Sequence, residues 1–161
     1  MKIGVYPGTF DPITNGHLEM IERASRLFDK VYVLVSINPK KKYMFSNEER
    51  KEMIEKACEG IKNIEIVFYD SLVVDFAHKV NANCIIRGIR NHSDFDSEQQ
   101  LAYYNNKLDS NIETILLFPT HKNLFVSSTS IKELVKFNQD ISEFVPLIIK
   151  QEIEDKIRKR L

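Results

Sequence analysis

A doubly wound α/β domain with a five-stranded parallel sheet and helices on both faces is the architecture this sequence predicts, on three observations. Five short apolar runs of strand length alternate with stretches of helical period. Several of the runs are nearly unbroken Val, Ile and Leu, which suits strands covered on both faces. The stretches between them are long enough to carry a helix, as parallel neighbours require. At 161 residues the chain has room for one shared core. Its five glycines and five prolines are scattered, with no repeat, low-complexity tract or linker, so residues 1–161 are expected to form a single domain.

The strands are expected at residues 2–6, 31–37, 64–68, 84–87 and 112–118. After the first, Leu18, Ile21, Ala24 and Phe28 recur three to four apart, one face of a helix. Ser46-Asn47-Glu48-Glu49 is a capping box, opening a helix to about residue 59 that Gly60 stops. Shorter and longer helices follow at 72–80, ended by Asn81, and at 94–108, 130–137 and 146–160.

Composition narrows the function. Hydrophobic residues are 43% and charged residues 29%, which excludes a disordered chain. Lys+Arg and Asp+Glu are both 23, so the backbone of nucleic acid is an unfavoured partner, and a bound anion would be small and met locally. Cys58 and Cys84 form no CxxC pair and offer neither a disulfide framework nor a zinc site. No window reaches a membrane span and the first residues lack a signal-peptide core, so a soluble cytoplasmic protein is expected.

In such a fold the ligand lies beyond the carboxyl ends of the strands. The first exit is Tyr6-Pro7-Gly8-Thr9-Phe10-Asp11-Pro12-Ile13-Thr14-Asn15-Gly16-His17, a turn that opens its backbone to a ligand and leads into a helix N-terminus. It contains neither a dinucleotide fingerprint nor a P-loop. The second exit carries Lys40-Lys41-Lys42, a solvated run unless it meets a phosphate. The third, Asp70-Ser71-Leu72-Val73-Val74, opens a helix whose N-terminal amides could meet an anion, although Leu72 and Val73 read more simply as core or pocket wall. The fourth is Arg87-Gly88-Ile89-Arg90, where a guanidinium directly after an apolar strand needs a partner: an acid at Asp94, Asp96 or Glu98, a phosphate, or both. The fifth leads to Val126-Ser127-Ser128-Thr129-Ser130, more hydroxyls than one helix cap uses.

Together these exits resemble the nucleotidyltransferase superfamily. Thr14-Asn15-Gly16-His17 is similar to its (H/T)xGH signature and Val126-Ser127-Ser128-Thr129 to its second, Ser/Thr-rich one. The string at 6–17, with Lys41, Arg87-Gly88-Ile89-Arg90 and Glu98, resembles the bacterial phosphopantetheine adenylyltransferase family over essentially the whole chain. The resemblance implies a Rossmann-like nucleotidyltransferase fold and adenylyl transfer from ATP to 4′-phosphopantetheine, giving dephospho-coenzyme A and pyrophosphate. It implies Mg²⁺ bound with ATP, a homohexamer, and coenzyme A as a feedback ligand; no carboxylate cage is evident in the sequence, so no protein metal ligand is assigned.

The resemblance also assigns residues. His17 would donate to the α-phosphate in the transition state, Thr9 would orient the attacking phosphate, and Lys41 would bind and guide it. Phe10 would line the nucleotide site. Arg87 and Val73 would contact the acceptor. Gly88, Ile89, Arg90 and Glu98 would serve ATP, as would Asn123, Leu124, Phe125, Val126, Ser127, Ser128 and Thr129. Lys132 stands where the superfamily often has Arg. Two rivals share part of this pattern: a nucleotidyltransferase acting on nicotinamide mononucleotide or a cytidylyl substrate, and a nucleotide-binding sensor without turnover.

Overall fold

A computed structural model describes residues 1–37 and 42–160. Its elements in chain order are β1 (Ile3–Gly8), α1 (Asn15–Leu27), β2 (Lys30–Ser36), α2 (Asn47–Ala57), β3 (Ile64–Tyr69), α3 (Val73–Lys79), β4 (Cys84–Gly88), α4 (His92–Leu108), β5 (Glu113–Leu117), a 3₁₀ turn (His121–Asn123), α5 (Ser128–Lys136) and α6 (Leu147–Arg158). All five strands are parallel, in the order β3-β2-β1-β4-β5. The order reverses at β1, whose two neighbours are β2 and β4.

Alternation along the central strands divides their side chains between two cores. Tyr6 of β1, Val31, Val33 and Val35 of β2, and Cys84 and Ile86 of β4 join a larger cluster with α1, α2, α5 and α6. Ile3, Val5, Leu34 and Ile85 face the other way, into a smaller cluster with Val74, Phe76 and Ala77 of α3. Burial holds both thiols well above their usual range, Cys58 at about 12 and Cys84 at about 11, so neither is a ready nucleophile.

Element ends lie within about two residues of the sequence expectation, and three of the shifts have a visible cause. β1 continues two residues further, because pairing with β2 runs on through Pro7 and Gly8. Its pairing with β4 covers only Gly4 and Val5, so beyond Val5 the two central strands part and open a cleft. α5 begins at Ser128 rather than Ser130, since Ser127 is the residue whose hydroxyl caps the Ser130 amide at 3.1 Å. α4 begins at His92 because the Asn91 side chain accepts from the Asp94 amide at 2.8 Å. The capping box at Ser46 forms as expected, and Gly60 and Asn81 take positive φ just beyond α2 and α3. Among the described residues no helix is long and apolar enough to cross a membrane.

Candidate active site

The cleft between β1 and β4 widens into a cavity of about 390 Å³ at the carboxyl ends of the strands, enough for a small ligand. Three strand exits build it. β1 supplies Gly8 and Thr9, β4 supplies Arg87 and Gly88, the N-terminus of α1 supplies His17, and the N-terminus of α5 supplies Ser128 and Thr129. Two helix N-termini therefore face one cavity, an arrangement that favours an anion.

His17 is the third residue of α1, and its side chain completes a capping box with Thr14. The Thr14 amide donates to His17 Nδ1 at 3.1 Å, while Thr14 Oγ1 accepts from the His17 amide. A ring nitrogen that accepts an N–H bears no proton, so Nε2 carries it in the neutral ring. Burial, aided by the nearby Arg90 charge, lowers the imidazole pKa from 6.5 to about 4. At neutral pH His17 is a fixed, uncharged donor.

Phe10 holds the ring from behind. It is fully buried, edge-on to His17 with ring centroids 5.1 Å apart, and forms no part of the cavity wall. Its backbone is left-handed, with φ 47°. Gly8 makes that geometry possible, since a Cβ there would stand 2.8 Å from the Phe10 ring.

The two arginines differ in their ties. Arg87 binds Glu98 through two parallel bonds of 2.7 and 2.6 Å, a bidentate pair, and reaches the Pro7 carbonyl across the cleft at 3.3 Å. Arg90 binds Asp94 at 3.0 Å and the Val126 carbonyl at 3.4 Å, joining β4 to the start of α5. Both guanidiniums thus have acidic partners while lining the cavity with them. Tyr6 lies beneath, its phenol pushed far above the usual range by burial.

At α5 the hydroxyls divide their work. Ser127 caps the helix and bonds Ser130 at 2.7 Å, and Ser128 donates to the Pro12 carbonyl at 2.7 Å. Thr129 is exposed on the cavity wall. The surplus expected of the hydroxyl cluster is therefore smaller than its count suggests, and the free amides at the start of α5 add to it.

Of the residues singled out from sequence, Thr9, His17, Arg87, Gly88, Arg90, Glu98, Asn123, Val126, Ser127, Ser128 and Thr129 meet at this cavity. Ile89 does not, being buried beside a smaller cleft lined by Phe95 and Phe118. Leu124 and Phe125 are also off the wall, and Phe125 is 86% exposed. Val73 packs at the margin of the smaller core. Lys41 lies outside the described residues. Sequence reasoning missed Glu19, whose carboxylate accepts from Asn123 at 2.7 Å and from the Thr120 amide at 2.9 Å. Burial pushes its pKa up, but the bonds from Asn123, Thr120 and Arg23 outweigh this and hold it below the usual range. Its site-side partners Thr120 and Asn123 are about a hundred residues away, so no local pattern marks this role. Thr14 was detectable, because a Thr three residues before a His at a helix start has capping-box spacing.

Among the described residues no three His, Cys, Asp or Glu side chains are grouped to hold a metal ion. The two carboxylates on the wall, Asp94 and Glu98, are each committed to an arginine. This donor set does not suit a resident magnesium cage.

Comparison with known proteins identifies the family. Residues 5–134 match the cytidylyltransferase-like family model. A phosphopantetheine adenylyltransferase of Streptococcus pneumoniae is 49% identical over 155 residues, 96% of each chain. One from Caldanaerobacter subterraneus subsp. tengcongensis is 43% identical over 159 residues, 99% of each. A crystal structure described as a putative nicotinate-nucleotide adenylyltransferase from Vibrio parahaemolyticus superposes with a TM-score of 0.76 over 100% of this chain and 98% of its own, at 18% identity, and so shares the fold. With near-full-length relatives of that name and a His17-centred cavity at the sheet's switch point, the chain belongs to the phosphopantetheine adenylyltransferases of the cytidylyltransferase-like family.

Proposed function

We propose that the chain transfers the adenylyl group of ATP to 4′-phosphopantetheine by direct in-line attack, releasing pyrophosphate and dephospho-coenzyme A. The observation that carries this reading is His17, a neutral imidazole tied back through Nδ1 so that Nε2–H is the edge left for the cavity. The acceptor is a phosphate already ionised at neutral pH, so it attacks the α-phosphorus without a base. One P–O bond forms from the acceptor oxygen, the bond to the β-phosphate breaks, and pyrophosphate leaves with the electron pair. Charge builds on the α-phosphate oxygens as phosphorus becomes five-coordinate, and a preorganised donor there lowers the barrier. An uncharged donor suits the task because it cannot give up its proton to the acceptor before the attack.

Thr9 orients the attacking phosphate and Lys41 guides it, while Arg87 receives the acceptor. Gly88, Arg90 and Glu98 serve ATP, and the 123–129 segment with the α5 N-terminus holds its phosphates. Phe10, Ile89, Leu124 and Phe125 would contribute through backbone, and Val73 through contact at the pantetheine end. Magnesium enters on the phosphates of ATP. Coenzyme A shares the pantetheine arm and would compete at the acceptor site. We place the enzyme in the cytoplasm, with its substrates, as a homohexamer.

The test is pyrophosphate release with ATP and a panel of acceptors. Turnover with 4′-phosphopantetheine well above that with nicotinamide mononucleotide or a cytidylyl acceptor supports the reading. Preference for another acceptor overturns the substrate assignment, and binding of ATP without turnover with any acceptor would make the chain a sensor.

A further inference from the structure

Beneath the cavity lies a cation that the reaction as described does not use. Arg50 of α2 is fully buried. One Nη donates to the Thr9 carbonyl at 2.7 Å, and the other to Asn47 Oδ1 at 2.5 Å. Its guanidinium lies 4.2 Å above the centre of the Tyr43 ring, and its Nε is buried with no hydrogen-bond partner. No carboxylate among the described residues lies within ion-pair distance of it. A buried guanidinium left this incompletely paired is costly. Apart from the bond to Asn47 on its own helix, its contacts go to the backbone of the first strand exit and to the Tyr43 ring of the second.

Asp11, also buried, adds a second tie between the same segments. It accepts from the Met44 and Phe45 amides at 3.1 and 2.9 Å and from Lys132 Nζ of α5 at 3.1 Å. Between Thr9, which faces the cavity, and Asp11 stands Phe10 in its left-handed conformation, a geometry that persists only where its neighbours hold it. The guanidinium holds the Thr9 carbonyl on one side of Phe10, and the Asp11 cluster holds the other.

We propose that Arg50 is a positioning residue for the acceptor half of the site, clamping the Thr9–Phe10 peptide and the segment 42–45 in one register. Arginine suits the post because its planar fork gives two divergent donors and a face that stacks on an aromatic ring, none of which lysine reproduces. The proposal rests on the adenylyl-transfer reading for its kinetic consequence and on geometry alone for its structural one.

The test uses the full chain with Arg50→Lys, which keeps the charge and loses the fork. Hydrogen exchange is read without substrates on peptides carrying Met44 and Phe45. It should rise about tenfold, while peptides of α4 and β5 stay unchanged. In turnover, KM for 4′-phosphopantetheine should rise and kcat fall, each about tenfold, with the dissociation constant of ATP within about twofold of the parent. Unchanged local exchange in a folded variant overturns the clamp. Changed exchange with unchanged kinetics overturns its role in catalysis, and equal weakening of both substrates reduces it to general stability. If Arg50→Lys does not fold, Tyr43→Leu removes the stacking surface and should give the same pattern; its failure to do so also overturns the proposal. A parent enzyme inactive on 4′-phosphopantetheine would sink the functional reading while the exchange result still decided the clamp.

Discussion

His17 has two jobs within one residue: its Nδ1 closes the helix cap, and that bond determines which nitrogen keeps the proton. Replacing it with Gln should keep much of the cap and lower kcat by about a hundredfold or more, the worth of a preorganised transition-state donor, with ATP binding little changed. Near-parental kcat would reduce His17 to a capping residue. The pH dependence has a definite sign. Because the folded pKa is depressed to about 4 from 6.5, the stability tied to His17 is full above 6.5 and lost as the pH falls towards 4. Thermal melts of the parent and of His17→Gln should converge over that window. No limb of the rate profile between pH 6 and 8 should belong to His17. The rise there follows the acceptor phosphate, whose second pKa is about 6 by analogy with a protein phosphoester, and it should persist at reduced height in the variant. Lys41 makes a second expectation at this scale: alanine at position 41 should raise the acceptor KM or slow chemistry, and alanine at 40 or 42 should do neither. Equal small effects at all three would return the run to solvent.

At the scale of elements, α1 does more than present a histidine. Two residues beyond His17, Glu19 turns to the segment after β5 and gathers Thr120 and Asn123. It therefore fastens the 3₁₀ turn that leads into α5, while Arg90 fastens the start of α5 to the β4 exit. Glu19→Ala leaves those partners without their charged acceptor and should destabilise the fold by about 2 kcal/mol. It should also weaken ATP binding more than acceptor binding. Denaturant unfolding and calorimetric titration with each substrate check both halves. An unchanged ATP affinity would separate the 3₁₀ turn from the nucleotide site.

For the whole molecule, the uneven cover on the sheet matters most. Four helices pack on one face, but on the other α4 buries only Glu98 of its 17 residues. Leu101, Tyr103, Tyr104 and Leu108 along it are exposed, as is Phe118 beyond β5. An apolar display of this kind marks an association surface, which is consistent with the proposed homohexamer. Sedimentation should give a particle of six 18.8 kDa chains, and Leu101→Asp with Tyr104→Asp should shift it to smaller species. A parent that sediments as a monomer at micromolar concentration would remove the hexamer from the proposal.

The alternation of strand and helix, the capping box at Ser46 and the helix stops near Gly60 and Asn81 were legible in the sequence because each is set by residues within a few positions of one another. So was the gathering of the strand exits on one side, since a parallel sheet places every strand's carboxyl end on one edge. By itself the sequence thus determined a parallel α/β fold and pointed to 9–17, Lys41, Val73, 87–98 and 123–129 as the places proposed for its chemistry. The cleft between β1 and β4 came only with the tertiary structure, because it depends on where two strands distant in sequence stop pairing. Tertiary contacts also sent Phe10 under His17 and gave Arg87 to Glu98 among three candidate acids. Glu19, Arg50 and Asp11 escaped a reading by local pattern for the same reason. Each has at least one partner more than thirty residues away, and only burial beside that partner gives such a contact its strength.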